Sequence, residues 1–297
     1  MKKSMVIIFL LLLAGIFMIG WKKGRPPGYY KKKRRVTRPR QKPPITEHGL
    51  TFVHVPAGWF TMGGNNGDSD ERPVHRVYLK GYYISKYEVT NAQYCAFLNA
   101  YGNSYQGHKC IDIDDEDCQI YYSNGRYYVK SGYENYPVIE VTWYGAKAFC
   151  EYYGWRLPTE AEWEKAARGT DGRKYPWGNH DPYYNGKYYA NYDPGDYDAD
   201  GYEYTAPVGS YPHGASPYGC MDMAGNVWEW CNDWYDSDYY SRSPGRNPQG
   251  PSSGSRRVLR GGSWDGSAGC IRCAYRYYYA PSDSWDCVGF RPVRDEK

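Results

Sequence analysis

Residues 136–169 read YPVIEVTWYGAKAFCEYYGWRLPTEAEWEKAARG. Within this stretch Thr159 is followed three residues later by Glu162, a capping box in which hydroxyl and carboxylate satisfy free amides of a first helical turn. Gly169 then closes that helix. Upstream, Thr142 opens another helix that ends near Gly154, with Trp143, Ala146, Phe149 and Cys150 on one face. The same Thr-x-x-Gln chemistry recurs at Thr90 and Gln93 in VTNAQYCAFLNA. Strands are expected within 51–63, 75–89, 126–130 and 257–264, where β-branched and aromatic residues alternate. The remainder is turn-rich, with 34 Gly and 20 Pro, and 36 Tyr and 11 Trp outweigh the aliphatics. Loops packed by aromatic rings are therefore expected. The fold class is α+β, low in regular secondary structure, with two principal helices and no tandem repeat.

Charge divides the chain. The first 44 residues hold 13 of its 37 Lys and Arg and none of its 33 acids, which leaves 24 basic against 33 acidic residues in the body. A body at −9 does not bind nucleic acid by charge. Residues 1–21 join a short basic start to an apolar run, as in a signal peptide or membrane anchor. No small-x-small cleavage site follows. Residues 22–46 form a basic, Pro-rich linker, and residues 47–297 form the folded domain. Eleven positive charges after the apolar run against two before it favour a cytosolic body. Abundant Cys and an aromatic, loop-rich composition favour export to the cell surface or secretion, with the amino-terminal segment contacting the membrane. Export is the expectation adopted.

Nine cysteines are present, an odd number. Cys110 and Cys118 bracket the acidic segment IDIDDED, and a disulfide closing that loop is expected. Cys95 and Cys150 lie in apolar helical stretches and suit buried thiols. Cys270 and Cys273 form the single Cys-x-x-Cys. A structural zinc needs a second such pair or closely spaced histidines, and the six histidines are scattered. A disulfide, or plain thiols, fits that pair better.

Seven phrases occur in a fixed order: VPAGWFTMGG, ERPVHRVYLKGYYISKYEVTNAQYCAFLN, the opening stretch, YPWGN, YGCMDMAGNVWEWCNDWY, RVLRGGSW and VGFRPVR. Together they resemble the formylglycine-generating enzyme (sulfatase-modifying factor) family over roughly residues 50 to 295. The resemblance implies a variant of the C-type lectin fold, often with structural calcium.

Calcium also has support in the residues. Asp196, Asp198 and Asp200 alternate before Gly201, a spacing that can wrap a hard cation, although Pro207 at the twelfth position rules out an EF-hand. The resemblance places one ion at Asn191 and Asp200, with the carbonyls of Tyr192 and Tyr202. It places a second at Asp222 and Glu229, with the carbonyls of Gly225 and Val227. Asp222 stands where the enzymes usually carry Asn.

The family's founding activity oxidises a substrate cysteine to formylglycine with oxygen, two active-site cysteines and copper. By resemblance the first cysteine lies three residues after the Ser of RGGS and the second five further on. Ser263 is present, but Gly266 stands at the first place. Aligning RCAYR with the enzymes puts Cys273 on a structural cysteine whose partner is Ala here, and the intervening segment is three residues shorter. Ser263, Cys270 and Cys273 are the catalytic candidates only under the oxidase alternative.

Between Trp264 and Gly289 no Lys, Glu, Gln, Met, Asn, Leu or Phe occurs. Tyr, Ser, Gly, Asp and Cys dominate, as in an antibody paratope, where Tyr supplies contact area at low entropic cost. They are also what adenine-directed mutation of Asn codons produces. The frame RGGSW…GFR resembles the variable region of diversity-generating retroelement target proteins. Trp264, Ala268, Arg272, Ala274, Arg276, Pro281 and 289–291 would be its fixed positions. The contact candidates are Asp265, Gly266, Ser267, Gly269, Cys270, Ile271, Cys273, Tyr275, Tyr277, Tyr278, Tyr279, Ser282, Asp283, Ser284, Asp286 and Cys287. Trp228, Trp230 and Trp264 are aromatic neighbours. The expected ligand is a protein, peptide or glycan.

Overall fold

A computed structural model describes residues 41–196 and 198–296. The apolar run and most of the basic linker lie outside the described residues. Among those described, no helix is long and apolar enough to cross a membrane.

The three Thr residues cap three helices: α1 (Asn91–Tyr101), α2 (Trp143–Tyr152) and α3 (Glu160–Arg168). They run 11, 10 and 9 residues, so the expectation of two principal helices undercounts by one. Both capping boxes form. Thr159 Oγ1 accepts from the Glu162 amide at 3.2 Å and Glu162 Oε2 accepts from the Thr159 amide at 2.9 Å. Gly169 ends α3 at φ 69°, a left-handed turn that costs glycine nothing.

Strands β1 (Ile45–Glu47), β2 (Leu50–Val55) and β5 (Tyr82–Ser85) form an antiparallel sheet with the carboxy-terminal strand Val293–Asp295. Val53 pairs with Ile84 and Ile84 with Val293, so the first and last strands of the body share one layer. Strands β3 (Gly58–Met62) and β4 (His75–Leu79) form a hairpin between them in sequence.

The second four-stranded sheet is built from distant pieces, in the order Tyr277–Tyr279, Arg257–Arg260, Trp228–Trp234 and Val288–Gly289. Its central strand, WEWCNDW, was not expected from the sequence. That strand is buried along its first four residues, so it lacks the alternation that marks a half-buried strand.

Rings fill the interior, as composition implies. Phe149 meets Tyr94 at 5.7 Å and Phe290 at 5.3 Å, joining both early helices to the GFR phrase. A second core packs Trp163 of α3 with Met62, Val77, Ile84, Val258 and Val293. Gly145 lets α2 approach the 110 loop, because a Cβ there would strike the Cys110 carbonyl.

The disulfide expected between Cys110 and Cys118 is not formed. All nine cysteines are free thiols. Burial pushes both of these up to about 12, and the Cys118 thiol donates to the Ile120 carbonyl at 3.3 Å. The acidic loop is closed instead by Asn103, whose Oδ1 accepts from the amides of Cys110 and Ile111, and by Lys109 between Asp112 and Asp114.

Candidate functional site

The frame of the window is an anchoring system. Arg260, wholly buried, donates to the carbonyls of Cys273 (2.7 Å) and Ala274 (3.1 Å) and to Glu164 of α3 (2.5 Å). Arg276 clasps Glu160 at 2.7 and 3.0 Å, and Arg272 clasps Glu71 at 2.9 and 2.6 Å. Burial alone raises the Glu160 carboxyl, but Arg276 and Arg260 outweigh it and hold the group below its ordinary range. Each guanidinium thus fixes the backbone of the window to α3 or to the 68–71 turn.

Between these anchors the candidate contacts divide. Asp265, Ser267, Gly269 and Ser282 are exposed. Gly266, Cys270, Tyr275, Tyr277, Tyr278, Tyr279, Asp283, Ser284 and Asp286 are half-buried at the surface. Ile271, Cys273 and Cys287 are core residues and not contacts: Ile271 packs with Tyr175 and Tyr192, Cys273 lies in the α3 core, and Cys287 packs beside Trp228. Trp230 is also buried, its indole donating to the Val141 carbonyl at 2.9 Å.

What remains is an aromatic surface. Tyr277 stacks on Trp228 at 5.2 Å and meets Tyr279 edge-on at 5.3 Å, and Tyr279 meets Trp285 at 5.6 Å. Strand alternation sends Tyr278 onto Tyr235 at 4.0 Å, with Arg256 over its ring. Trp264 touches Tyr204 at 5.0 Å across the edge of this surface.

Ser263 is buried and its hydroxyl donates to Asp265. Three residues on, a Cβ at Gly266 would lie 3.4 Å from the Cys270 Cβ. Cys270 is half-buried, with its sulfur 3.7 Å from the Ser267 hydroxyl. Of the two positions, 266 and 270, one carries a thiol and the other is glycine. A copper dithiolate does not fit the residues present.

The first expected calcium loop fits better. Asn191 is buried, its Nδ2 donates to the Tyr204 carbonyl and to Asn226 Oδ1, and its own Oδ1 is a buried acceptor without a donor. Asp200 accepts from the amides of Tyr192 (2.8 Å) and Tyr202 (3.2 Å). Asp196 and Asp198 are exposed and play no part in this arrangement. Burial raises Asp200, so a cation beside it would stabilise the ionised form.

At the second, Glu229 is already held, accepting from Arg291 at 2.7 Å on each oxygen and from the Trp163 indole at 2.8 Å. Glu88, which the sequence reading missed, takes its place as the unsatisfied acid. One oxygen accepts from Asn226 Nδ2 at 2.8 Å and the other is buried without a partner. Burial and then Asp222 push Glu88 well above the carboxylate range, and burial raises Asp222 to about 6. Three buried acids cannot all ionise against Arg291 alone, and a divalent ion would let them do so. The donors fit calcium, with Glu88 joining Asp222. Among the described residues no three His, Cys, Asp or Glu side chains converge to hold a metal by themselves, so carbonyls and amides would complete either shell.

Asn226 ties these parts together. Its amide donates to the Asn191 carbonyl at 2.8 Å, and its carbonyl accepts from the Trp264 amide at 2.9 Å. Gly225, at φ 76°, makes this possible, because a Cβ there would collide with the Asn191 carbonyl. The signal for Asn226 lay in DMAGNVWE, but its role as a junction depends on contacts far apart in sequence.

Residues 37–296 match the family model described as the sulfatase-modifying factor enzyme 1-like domain. Among curated relatives, the serine/threonine-protein kinase pkn1 of Chlamydia pneumoniae is 40% identical, over 86% of this chain but 39% of that protein. The chain thus spans about two fifths of the length of such relatives. The formylglycine-generating enzyme of Streptomyces coelicolor is 36% identical over 82% of this chain and 88% of the enzyme. Among solved structures, PvdO from Pseudomonas aeruginosa superposes with TM-score 0.70 at 27% identity, covering 86% of this chain and all but 1% of that one. Treponema denticola variable protein 1 superposes with TM-score 0.64 at 26% identity, over 87% of this chain and the whole of that one. The α+β fold, low in regular structure, is the formylglycine-generating-enzyme-like fold, and the chain belongs to the sulfatase-modifying factor family.

Proposed function

We propose that this protein is an exported or membrane-anchored binding module that presents the Tyr275–Trp285 surface to a protein, peptide or glycan ligand, and that it is not an oxidase. The observation that carries this reading is Gly266 facing Cys270: the site keeps its frame and its aromatic rim but has a single thiol. Tyrosines supported from behind by Trp228 suit recognition, because their rings are held before a ligand arrives. The likeness to a Treponema variable protein supports a diversified surface of this kind. Calcium, held at Asn191 and Asp200 and at Glu88 and Asp222, would supply the positive charge that fixes the loops beneath the surface.

The test has two arms. With copper and oxygen, a Cys-x-Pro-x-Arg peptide should remain unconverted, and turnover abolished by Cys270→Ser would overturn the binding-only reading. Tyr277→Ala should weaken a ligand selected on peptide and glycan arrays by about tenfold or more while leaving the protein folded, as checked by its circular-dichroism spectrum. For the diversified form, the neighbouring DNA should hold a near-copy of codons 265–287 with Asn codons, together with a reverse transcriptase. Neither being present would sink that part.

A further inference from the structure

The hairpin of β3 and β4 has two unlike faces. Phe60, Met62, Val77 and Leu79 are buried, and strand alternation sends Trp59, Arg76 and Tyr78 to the other side. Trp59 stands opposite Tyr78 in the register and is 41% exposed. The segment around Arg246 covers the second edge of β4. There the Tyr78 amide donates to the Gly245 carbonyl at 3.0 Å and the Asn247 amide to the Tyr78 carbonyl at 2.8 Å. The Lys80 amide donates to Asn247 Oδ1 at 2.9 Å. With that edge paired, the hairpin offers solvent its side chains rather than its backbone.

Those side chains are cations laid on rings. The Arg76 guanidinium lies 5.1 Å from the centre of the Trp59 ring, and that of Arg246 lies 5.3 Å from Trp59 and 4.5 Å from Tyr78. Lys80, two residues past Tyr78, is exposed, as are both arginines. Among the described residues none of these three cations enters an ion pair. Residues 58–62, 75–80 and 244–250, which build the face, contain no Asp or Glu, in a body whose acids outnumber its bases. A ring holds a guanidinium in place without neutralising it, so the charge stays available to an anion outside.

The amino-terminal tether joins the body at the end of the same strand. Lys42 pairs with Glu296, and its amide donates to His54 Nδ1 at 3.0 Å. Glu296 also lies against Gly81, next to Lys80, where its carboxylate fills the space a Cβ would need. Residues 22–40, between the apolar run and this point, hold ten Lys and Arg and no acid. Fully extended they reach about 65 Å at most. A bilayer holding the apolar run would therefore meet the hairpin at high effective concentration.

Exposed Trp beside unpaired cations suits the headgroup layer of a membrane, where an amphipathic ring and a positive charge are both stabilised. A dissolved anionic polymer could meet the charges but offers Trp59 no apolar layer to enter. We infer that the β3–β4 face rests on the anionic surface of the bilayer that anchors the chain, with Trp59 among the headgroups and Arg76, Lys80 and Arg246 on lipid phosphates. The inference rests on the membrane-anchored form of the reading above and specifies which face of the body turns to the membrane.

The experiment places the full chain in nanodiscs of phosphatidylcholine, alone or mixed with anionic phosphatidylglycerol, whose brominated acyl chains quench tryptophans that reach them. In anionic discs the parent should lose a larger fraction of its fluorescence than Trp59→Phe, and in phosphatidylcholine discs the two should lose the same. Acetylation of Lys80 should be about threefold or more slower in anionic discs, and high salt should restore its rate. Combining Arg76→Gln, Lys80→Gln and Arg246→Gln, all exposed changes, should abolish the extra quenching while the circular-dichroism spectrum stays that of the parent. Equal quenching of the parent and Trp59→Phe in anionic discs overturns the inference. So does protection of Lys80 by dissolved dextran sulfate but not by anionic discs, which would make the partner a soluble polymer. Either result in a chain that remains in the discs leaves the anchorage standing, whereas a chain that does not enter discs removes both.

Discussion

Position 266 concentrates the difference between this chain and the oxidases it resembles. Its backbone is not in the left-handed region, and a Cβ there meets the Cys270 Cβ at 3.4 Å, near the spacing of a disulfide. Gly266→Cys is therefore expected to fold and to pair with Cys270 under mild oxidation. Thiol titration of the unfolded variant should count eight free thiols after oxidation, one fewer than the parent's nine, and ten after reduction, and an undiminished ten after oxidation would refute the geometry. The redox question could be posed from the sequence, because Ser263 and the missing cysteine are visible there. It could not be answered there, since the Cys270 side chain reaches position 266 through a turn whose shape depends on Arg260 and Glu164. Ile271, Cys273 and Cys287 mark the opposite limit: their residue types match a paratope, and only packing shows that they face the core.

At the scale of elements, α3 carries more than its nine residues suggest. It presents Glu160 and Glu164 to Arg260 and Arg276, so the helix and the window are held by one buried ionic cluster. Such clusters gain little over apolar packing but are costly to break from one side. Glu160→Gln should destabilise the domain by about 3 kcal/mol or more, read as a lowered urea midpoint, whereas Thr159→Ala should cost only about 1 kcal/mol. Comparable losses would show that the cluster contributes no more than a cap. The helices were legible because capping chemistry is local. The central strand Trp228–Trp234 was not, because burial on both faces removes its period, and the two-residue hairpins elsewhere are too short to carry one. The excluded Cys110–Cys118 disulfide teaches the same lesson, since a plausible loop closure is supplied by Asn103 instead.

Across the whole molecule, buried negative charge at Glu88 and Asp222 should couple calcium, acidity and stability. A carboxylate raised in the folded state holds its proton more tightly there, so without calcium this contribution is greatest below the unfolded pKa. It declines as the pH climbs from about 4 to about 6 for Asp222, by up to about 3 kcal/mol. Calcium takes the ionised form, so the rise in melting temperature on adding calcium should be larger at about pH 7.5 than at about pH 5. Glu88→Gln should shrink that rise, and an equal rise at both values would remove Glu88 and Asp222 from the site. Family and fold were readable from seven ordered phrases, whereas the pairing of Glu88 with Asp222 was not, because the two acids come from segments far apart in the chain. The guanidinium anchors described for the window have one more consequence. They grip backbone carbonyls and buried acids, so the backbone of the window is held without help from its fully exposed side chains. A library randomised at the exposed positions 267, 269 and 282 should yield soluble protein from nearly every clone, while randomising 260, 272 and 276 should yield almost none.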